Sequence, residues 1–218
     1  IASNYGIPEN KIDVVYNGIN EEFYPLLETE QTAVREKFSQ GKPYFLFVGS
    51  QSPRKNLNRL IAAFDLFKDQ TGSDYKLVLV GAVYSSEGDV KRVIDKSKYK
   101  ADIIFTGRQP QEELEKIMAS AFALAFVPYF EGFGIPIVEA MQCDAPVICS
   151  NTTSMPEIAG TAGMLVDPFD VNDIAKAMVE LYKDPVLRDQ LIQNGKHRKA
   201  FFSWDKSAHL LWDSITAS

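Results

Sequence analysis

Three short apolar runs in this chain end on a glycine: residues 44–49 (YFLFVG), 76–81 (KLVLVG) and 103–107 (IIFTG). None alternates apolar with polar residues, as a strand with one wet face would. Strands of this kind are covered on both sides. Between and after them the period changes. Residues 57–67 put Leu57, Leu60, Ile61, Phe64 and Phe67 on one helical face, and 111–118 turn Leu114, Ile117 and Met118 inward. The charged stretch 88–98 reads as a helix, 121–127 as a fourth strand, 135–141 as a short helix and 146–149 as a fifth strand. Residues 164–166 read as an edge strand, followed by helices over 171–182, 185–201 and 204–215. This alternation predicts an α/β fold, a Rossmann-like doubly wound parallel sheet with C-terminal helices. Ligands of such sheets bind outside the carboxyl ends of the strands, so one site is expected in the loops after Val48, Val80, Thr106, Val127 and Cys149.

Composition narrows the function. With 218 residues, 45% of them hydrophobic, the chain can bury a full core. A net charge of -6 argues against nucleic acid as partner, since phosphate neutralisation needs clustered Lys and Arg. The two cysteines, Cys143 and Cys149, fall in a helix and an apolar strand and read as reduced, buried thiols, hence a reducing, cytoplasmic compartment. No signal peptide and no apolar run near membrane-spanning length is seen. The chain begins at Ile1 rather than Met and is expected to be a piece of a longer protein. Residues 1–41 differ in texture from the rest, with a short strand candidate at 12–15 and an Asn17-Gly18 turn. They are expected to form an N-terminal arm and connector, residues 42–202 the α/β domain, and 203–218 a terminal helix.

The strand ends carry the chemistry. The first strand lacks the Gly-x-Gly-x-x-Gly of a dinucleotide site, and no Walker loop occurs. Instead Gly49 leads to Arg54 and Lys55 just before a helix. A guanidinium can fork onto one phosphate and an ammonium can neutralise another; alternatively the pair is a solvated surface feature. The fourth strand runs into Glu131-Gly132-Phe133-Gly134-Ile135-Pro136-Ile137-Val138-Glu139. Pro136 suits a first helical turn. The free amides near Gly134 and Ile135, with the helix dipole, favour an anion. Glu131 and Glu139 are so placed that each carboxylate can accept hydrogen bonds from vicinal hydroxyls of a sugar or ribose. The alternative has Glu131 capping the helix and Glu139 exposed on it, but the apolar company of Glu139 favours a function.

This segment resembles the Glu-x7-Glu motif of retaining family-4 glycosyltransferases with the GT-B fold. Further segments resemble that family in the same order: Phe47-Val48-Gly49 with Pro53-Arg54-Lys55-Asn56-Leu57, Ile104-Phe105-Thr106-Gly107, Val127-Pro128, Thr153-Ser154-Met155-Pro156-Glu157-Ile158 and Gly163-Met164-Leu165-Val166-Asp167-Pro168. Val15-Tyr16-Asn17-Gly18-Ile19-Asn20 resembles the family's interdomain connector, which usually has proline where Tyr16 stands. The resemblance covers nearly the whole chain. It implies the C-terminal, donor-binding half of a GT-B enzyme, with a nucleotide-diphosphate sugar, GDP-mannose or a UDP-sugar, as the molecule bound. By the same resemblance Arg54 and Lys55 hold the diphosphate, and Gly49 belongs to that loop. Glu139 binds the ribose, and Glu131, the expected catalytic residue, contacts the transferred sugar. The backbone of Gly132, Phe133, Gly134 and Ile135 touches sugar and phosphates, and Gly107 and Arg108 meet the base. No metal or other cofactor is expected, positive side chains and a helix end taking that role.

The implied acceptor-binding N-terminal domain, with its glycine-rich loop and histidine, has no counterpart in the sequence. Residues 203–218 would cross back to it, leaving Trp204 and Trp212 partly exposed; alternatively both pack in the core. The whole protein would be cytoplasmic, at the inner face of the membrane if peripheral. A non-catalytic nucleotide-sugar-binding module or a GT-B epimerase is the alternative. The Arg54-Lys55 pair together with Glu131 and Glu139 favours the transferase.

Overall fold

The structure, a computed structural model, describes residues 2–82 and 89–216. Six strands, β1 (Tyr44–Val48), β2 (Lys76–Val80), β3 (Ile103–Gly107), β4 (Ala123–Phe126), β5 (Val147–Ser150) and β6 (Gly163–Val166), form one sheet. Their order is β3-β2-β1-β4-β5-β6, and every neighbouring pair is parallel. This is the Rossmann-like, doubly wound α/β arrangement expected from the glycine-terminated runs. β1 lies at its centre, with Phe45 opposite Leu77 on one side and Ala123 on the other. Every residue of β2, β4 and β5 is buried, so no polar face was there to show in their sequences.

The helices are α1 (Ala2–Tyr5), α2 (Glu28–Ser39), α3 (Leu57–Thr71), α4 (Asp89–Lys96), α5 (Gln111–Ala119), α6 (Ile135–Gln142), α7 (Met155–Ala159), α8 (Val171–Lys183), α9 (Pro185–Arg198) and α10 (Trp204–Thr216). The periodic face read for α3 is buried in full. Aspartates start α8 and α9: Asp170 accepts from the Asn172 amide at 2.8 Å and Asp184 from the Leu187 amide at 2.9 Å. Cys143 and Cys149 are buried and free. At the amino ends of the strands, Asp102 receives the Lys76 and Lys68 ammonium groups at 2.5 Å and 2.7 Å. This pairing lets two buried cations sit there, away from the carboxyl ends.

Three local expectations need correction or qualification. Residues 12–15 pair with no strand among the described residues; a 3-10 turn at Glu9–Lys11 precedes them, and Val14 and Val15 stay exposed. A β-branched run without a neighbouring edge has nothing to bond to. Within residues 1–41, α2 contributes Val34 and Phe38 to the core, with Phe23 beside them. The backbone N–H of Leu27 donates to Glu30 Oε2 at 2.9 Å, and Arg35 bonds Glu28 and Gln31 along the helix surface. The helix expected over 88–98 is α4; Gly88, and the loop after Val80 from residue 83 on, lie outside the described residues.

Candidate functional site

The strand order reverses between β1 and β4, and the crevice outside the carboxyl ends of these two strands is where doubly wound sheets take ligands. Both runs of candidate residues lead into it. After β1 the chain makes a 3-10 turn, Pro53–Lys55, and after β4 it makes the loop that carries Glu131. The Tyr129 amide donates to the Arg54 carbonyl at 2.8 Å, joining the two loops. Asn56, buried and in the left-handed region at φ 60°, donates from Nδ2 to the Val127 carbonyl at 3.0 Å and the Pro168 carbonyl at 2.7 Å. One amide thus ties the loops that follow β1, β4 and β6.

In this frame Arg54, Lys55 and Glu131 converge. Glu131 Oε2 accepts from Arg54 Nη1 at 2.7 Å and from Lys55 Nζ at 2.6 Å. Arg54 Nη1 also donates to the Phe130 carbonyl at 3.3 Å. The two cations differ in setting. The Lys55 side chain is 9% exposed, with Nζ 4.7 Å from the Phe126 ring centre, whereas the Arg54 side chain is 50% exposed. Burial by itself would raise the pKa of Glu131, but the bonds and charges of Lys55 and Arg54 outweigh it and hold the carboxyl below its usual range. Helix α6 is capped by Gly134 with no side-chain cap bond, so Glu131 is not its capping group.

Glu139, a little over a turn into α6, is partly buried and no hydrogen bond or ion pair holds its carboxylate among the described residues. Burial raises its pKa to about 7, with the charge of Glu115 on α5 adding to the effect. Arg54, Lys55 and Glu131 therefore meet as one ionic group, and Glu139 stands apart from them as an acid that titrates near neutrality.

The remaining candidates lie on the same face. Ile135 is exposed at the first turn of α6, Gly132 is exposed beside Glu131, and Phe133 is half-buried between the two glycines. At Gly134, φ 100°, a Cβ would fall 2.7 Å from Met155 Cε. Gly49 donates its amide to the Val80 carbonyl at 2.9 Å, and its own carbonyl lies 1.8 Å from where a Cβ on Gly81 would sit; the backbones of the β1 and β2 loops close against each other there. Gly107 ends β3 with an exposed Arg108 after it.

The loop after β5 also belongs to the site, although its hydroxyls were not singled out in the sequence. Ser150 Oγ donates to the Pro128 carbonyl at 2.6 Å, and Thr152 Oγ1 lies 3.4 Å from the Tyr129 carbonyl. The Glu131 amide donates to Thr153 Oγ1 at 3.4 Å, and Ser154 Oγ shares its proton between the Glu131 and Phe133 carbonyls at 2.9 Å and 3.1 Å. Thr153 sits at φ 55°, rare for a β-branched residue. The four hydroxyls brace the loop of residues 128–133. Their signals in the sequence were the Thr153–Ile158 segment that resembles the family and the cluster of Ser150, Thr152, Thr153 and Ser154.

A Rossmann-like parallel sheet with two cations, a carboxylate and an open helix end at its switch point defines a doubly wound α/β domain with a charged crevice at the carboxyl ends of its strands. Residues 28–198 match the glycosyl transferases group 1 family, and the chain belongs to it. Among curated relatives, the O-antigen chain mannosyltransferase B of Escherichia coli is 30% identical over 202 residues, which is 92% of this chain and 53% of that protein. The serotype-specific mannosyltransferase WbdA of Escherichia coli is 27% identical over 216 residues, 96% of this chain and 26% of the relative. The chain thus spans about half the length of the first of these relatives and a quarter of the second. Among solved structures, Anabaena Alr3699/HepE in complex with UDP and glucose superposes with a TM-score of 0.83 at 20% identity, over 94% of this chain and 57% of that one. Likeness of this kind supports the GT-B glycosyltransferase fold.

Proposed function

We propose that this chain is the donor-binding half of a retaining, family-4 glycosyltransferase that moves a hexosyl group, mannose from GDP-mannose or a sugar from a UDP donor. The observation that carries the proposal is the meeting of Glu131 with Arg54 and Lys55 at the switch point, at the open end of α6. Fixed cations and a helix N-terminus suit a leaving diphosphate, and no metal ion is called on. Glu131 is within reach of the charge that develops where sugar and diphosphate part. Glu139 takes the ribose hydroxyls, the backbone from Gly132 to Ile135 takes sugar and phosphates, Gly49 lines the phosphate loop, and Gly107 and Arg108 lie on the side of the base. The mannosyltransferase relatives support mannose, and the UDP in the Anabaena complex supports a uridine donor. The rest of the protein would bind the acceptor and cover α10, and the whole would work in the cytoplasm, at the inner membrane face if peripheral.

Calorimetry with UDP, GDP and ADP against their nucleosides tests the reading. One diphosphate should bind more tightly than its nucleoside. Arg54→Ala should remove about 1–3 kcal/mol of that binding, as for a charge-assisted hydrogen bond, with little change in folding stability because the side chain is half exposed. Lys55→Ala should cost both binding and stability, since it leaves Glu131 half-buried with one partner fewer. Equal affinity for nucleoside and diphosphate in the wild-type protein would sink the proposal.

A further inference from the structure

Tyr16 precedes α2 by twelve residues, far in sequence from the loop of Glu131, yet it packs against that loop. Its ring centre is 6.2 Å from that of Phe133 and 6.0 Å, edge-on, from that of Phe202, and Phe133 and Phe202 are 5.7 Å apart. The three rings close a triangle. Its corners are the segment before α2, the glycine-flanked loop at the switch point, and the turn before α10. Polar contacts fix Tyr16 at both ends. Its hydroxyl donates to Glu157 of α7, and its carbonyl accepts from Ser207 Oγ of α10 at 2.5 Å. Arg198 closes the far side, donating to the carbonyls of Glu157 and Ile158 and lying 5.1 Å from the Phe202 ring. The family resembled here usually has proline at this position, which could supply neither an aromatic ring nor a hydroxyl.

Phe133 is the one side chain between Gly132 and Gly134. Glycines on both sides leave the backbone free to adopt many conformations, so the direction of the neighbouring amides depends on what holds that ring. Ser154 holds the carbonyl of Phe133, and Tyr16 and Phe202 hold its side chain. Pairs of aromatic rings in such tilted and edge-on arrangements attract beyond the area they bury. We infer that Tyr16 is a positioning residue for the sugar subsite: through Phe133 it sets the loop from Glu131 to Ile135 in the conformation that receives the sugar, and it fastens the segment before α2 to that loop. This rests on the donor site proposed above.

The test uses the full-length protein that contains this chain and needs no acceptor. Affinities are measured by calorimetry for GDP and GDP-mannose and for UDP and UDP-glucose, and the ratio within each pair reports what the sugar adds. Tyr16→Leu keeps bulk and removes the ring; Tyr16→Phe keeps the ring and removes the hydroxyl. Tyr16→Leu should leave the diphosphate affinity within about two-fold and cut the contribution of the sugar by about ten-fold, the scale of coupling between residues in contact. Tyr16→Phe should restore most of that contribution. Phe133→Leu should cause a similar loss, and the double variant should lose little more than either single one, as for two residues acting through one contact. Additive losses, or equal weakening of diphosphate and sugar nucleotide in Tyr16→Leu, would overturn the inference while leaving the donor site standing. Failure of the wild-type protein to bind any of the four nucleotides would instead overturn the donor site, and the inference with it. If Tyr16→Leu does not fold, the comparison of Tyr16→Phe with Phe133→Leu decides, and unchanged sugar contribution in Phe133→Leu overturns the inference.

Discussion

The two glutamates of the Glu131–Glu139 segment have opposite electrostatics. Glu131 is a fixed anion between two cations, whereas Glu139 is a partly buried acid whose pKa rises from the ordinary 4.5 to about 7. The consequence for stability follows from linkage. A carboxyl whose folded pKa is raised is stabilising in its protonated form, and that contribution is lost as pH climbs through the interval from 4.5 to about 7. At about 1.4 kcal/mol per unit the loss at pH 8 is about 3 kcal/mol at most. Glu139→Gln, which cannot ionise, should therefore be more stable than wild type at pH 8 and about equal to it at pH 4. Denaturant unfolding at the two pH values checks this, and an equal difference at both would show that the substitution acts through packing. Affinity for a nucleoside should run the other way. If the ionised carboxylate accepts the ribose hydroxyls, binding tightens from pH 6 to pH 8 in the wild type, and the trend disappears in Glu139→Gln.

At the scale of elements, what could be read in the sequence follows from how far apart the interacting residues lie. The strands were legible because burial on both faces leaves an apolar run, and the glycines that close the runs of β1, β2 and β3 marked the ends that face the site. Helix α2 does not show in the sequence, because its starting bond is donated by the Leu27 amide to the Glu30 side chain and its exposed side is a web of Glu, Gln and Arg. The pairing of Glu131 with Arg54 and Lys55 spans more than seventy residues and could not be read from either segment alone. The hydroxyl brace after β5 bonds mostly to carbonyl groups, which every residue carries, so no residue type in the 128–133 loop announced it. The brace can be tested by two neighbouring substitutions of unlike size. Ser154→Ala leaves the Glu131 and Phe133 carbonyls short of a donor and should lower stability by about 1 kcal/mol. Thr153→Gly gives up a long 3.4 Å bond but also removes a left-handed β-branched residue, so the net change should stay within about 0.5 kcal/mol. A larger loss for Thr153→Gly than for Ser154→Ala in denaturant titration would show that the hydroxyl of Thr153, rather than its backbone conformation, governs the loop.

The scale of the whole molecule is set by an exposed apolar stripe on its last helix. Helix α10 holds on to the segment before α2 through Ser207, bonded to the Tyr16 carbonyl, and Ser214, bonded to Asp13 at 2.7 Å. Beside these contacts it presents Trp204, Leu211 and Trp212, each more than half exposed and spaced so that they share one helical stripe. Trp204 touches the chain at Gly18, where a Cβ would fall 2.4 Å from its ring. A row of large apolar side chains on a helix of this length is the pattern of a helix face meant to be covered. The chain spans about half of one curated relative and a quarter of another, which makes the remainder of the protein the proposed cover. Both tryptophans of the chain lie on this stripe, so the experiment needs no label. In the 218-residue chain alone, tryptophan emission should be red-shifted and readily quenched by iodide. In the full-length protein it should shift to the blue and lose most of its quenching. The same pair of proteins separates binding from chemistry. Closing two domains over a donor is a common way to complete such a site, so the chain alone should bind a nucleoside diphosphate weakly and transfer no sugar to an acceptor that the full-length protein uses. Equal quenching in both proteins would show that the remainder leaves α10 uncovered, and acceptor-dependent transfer by the isolated chain would show that the second half is dispensable for the chemistry.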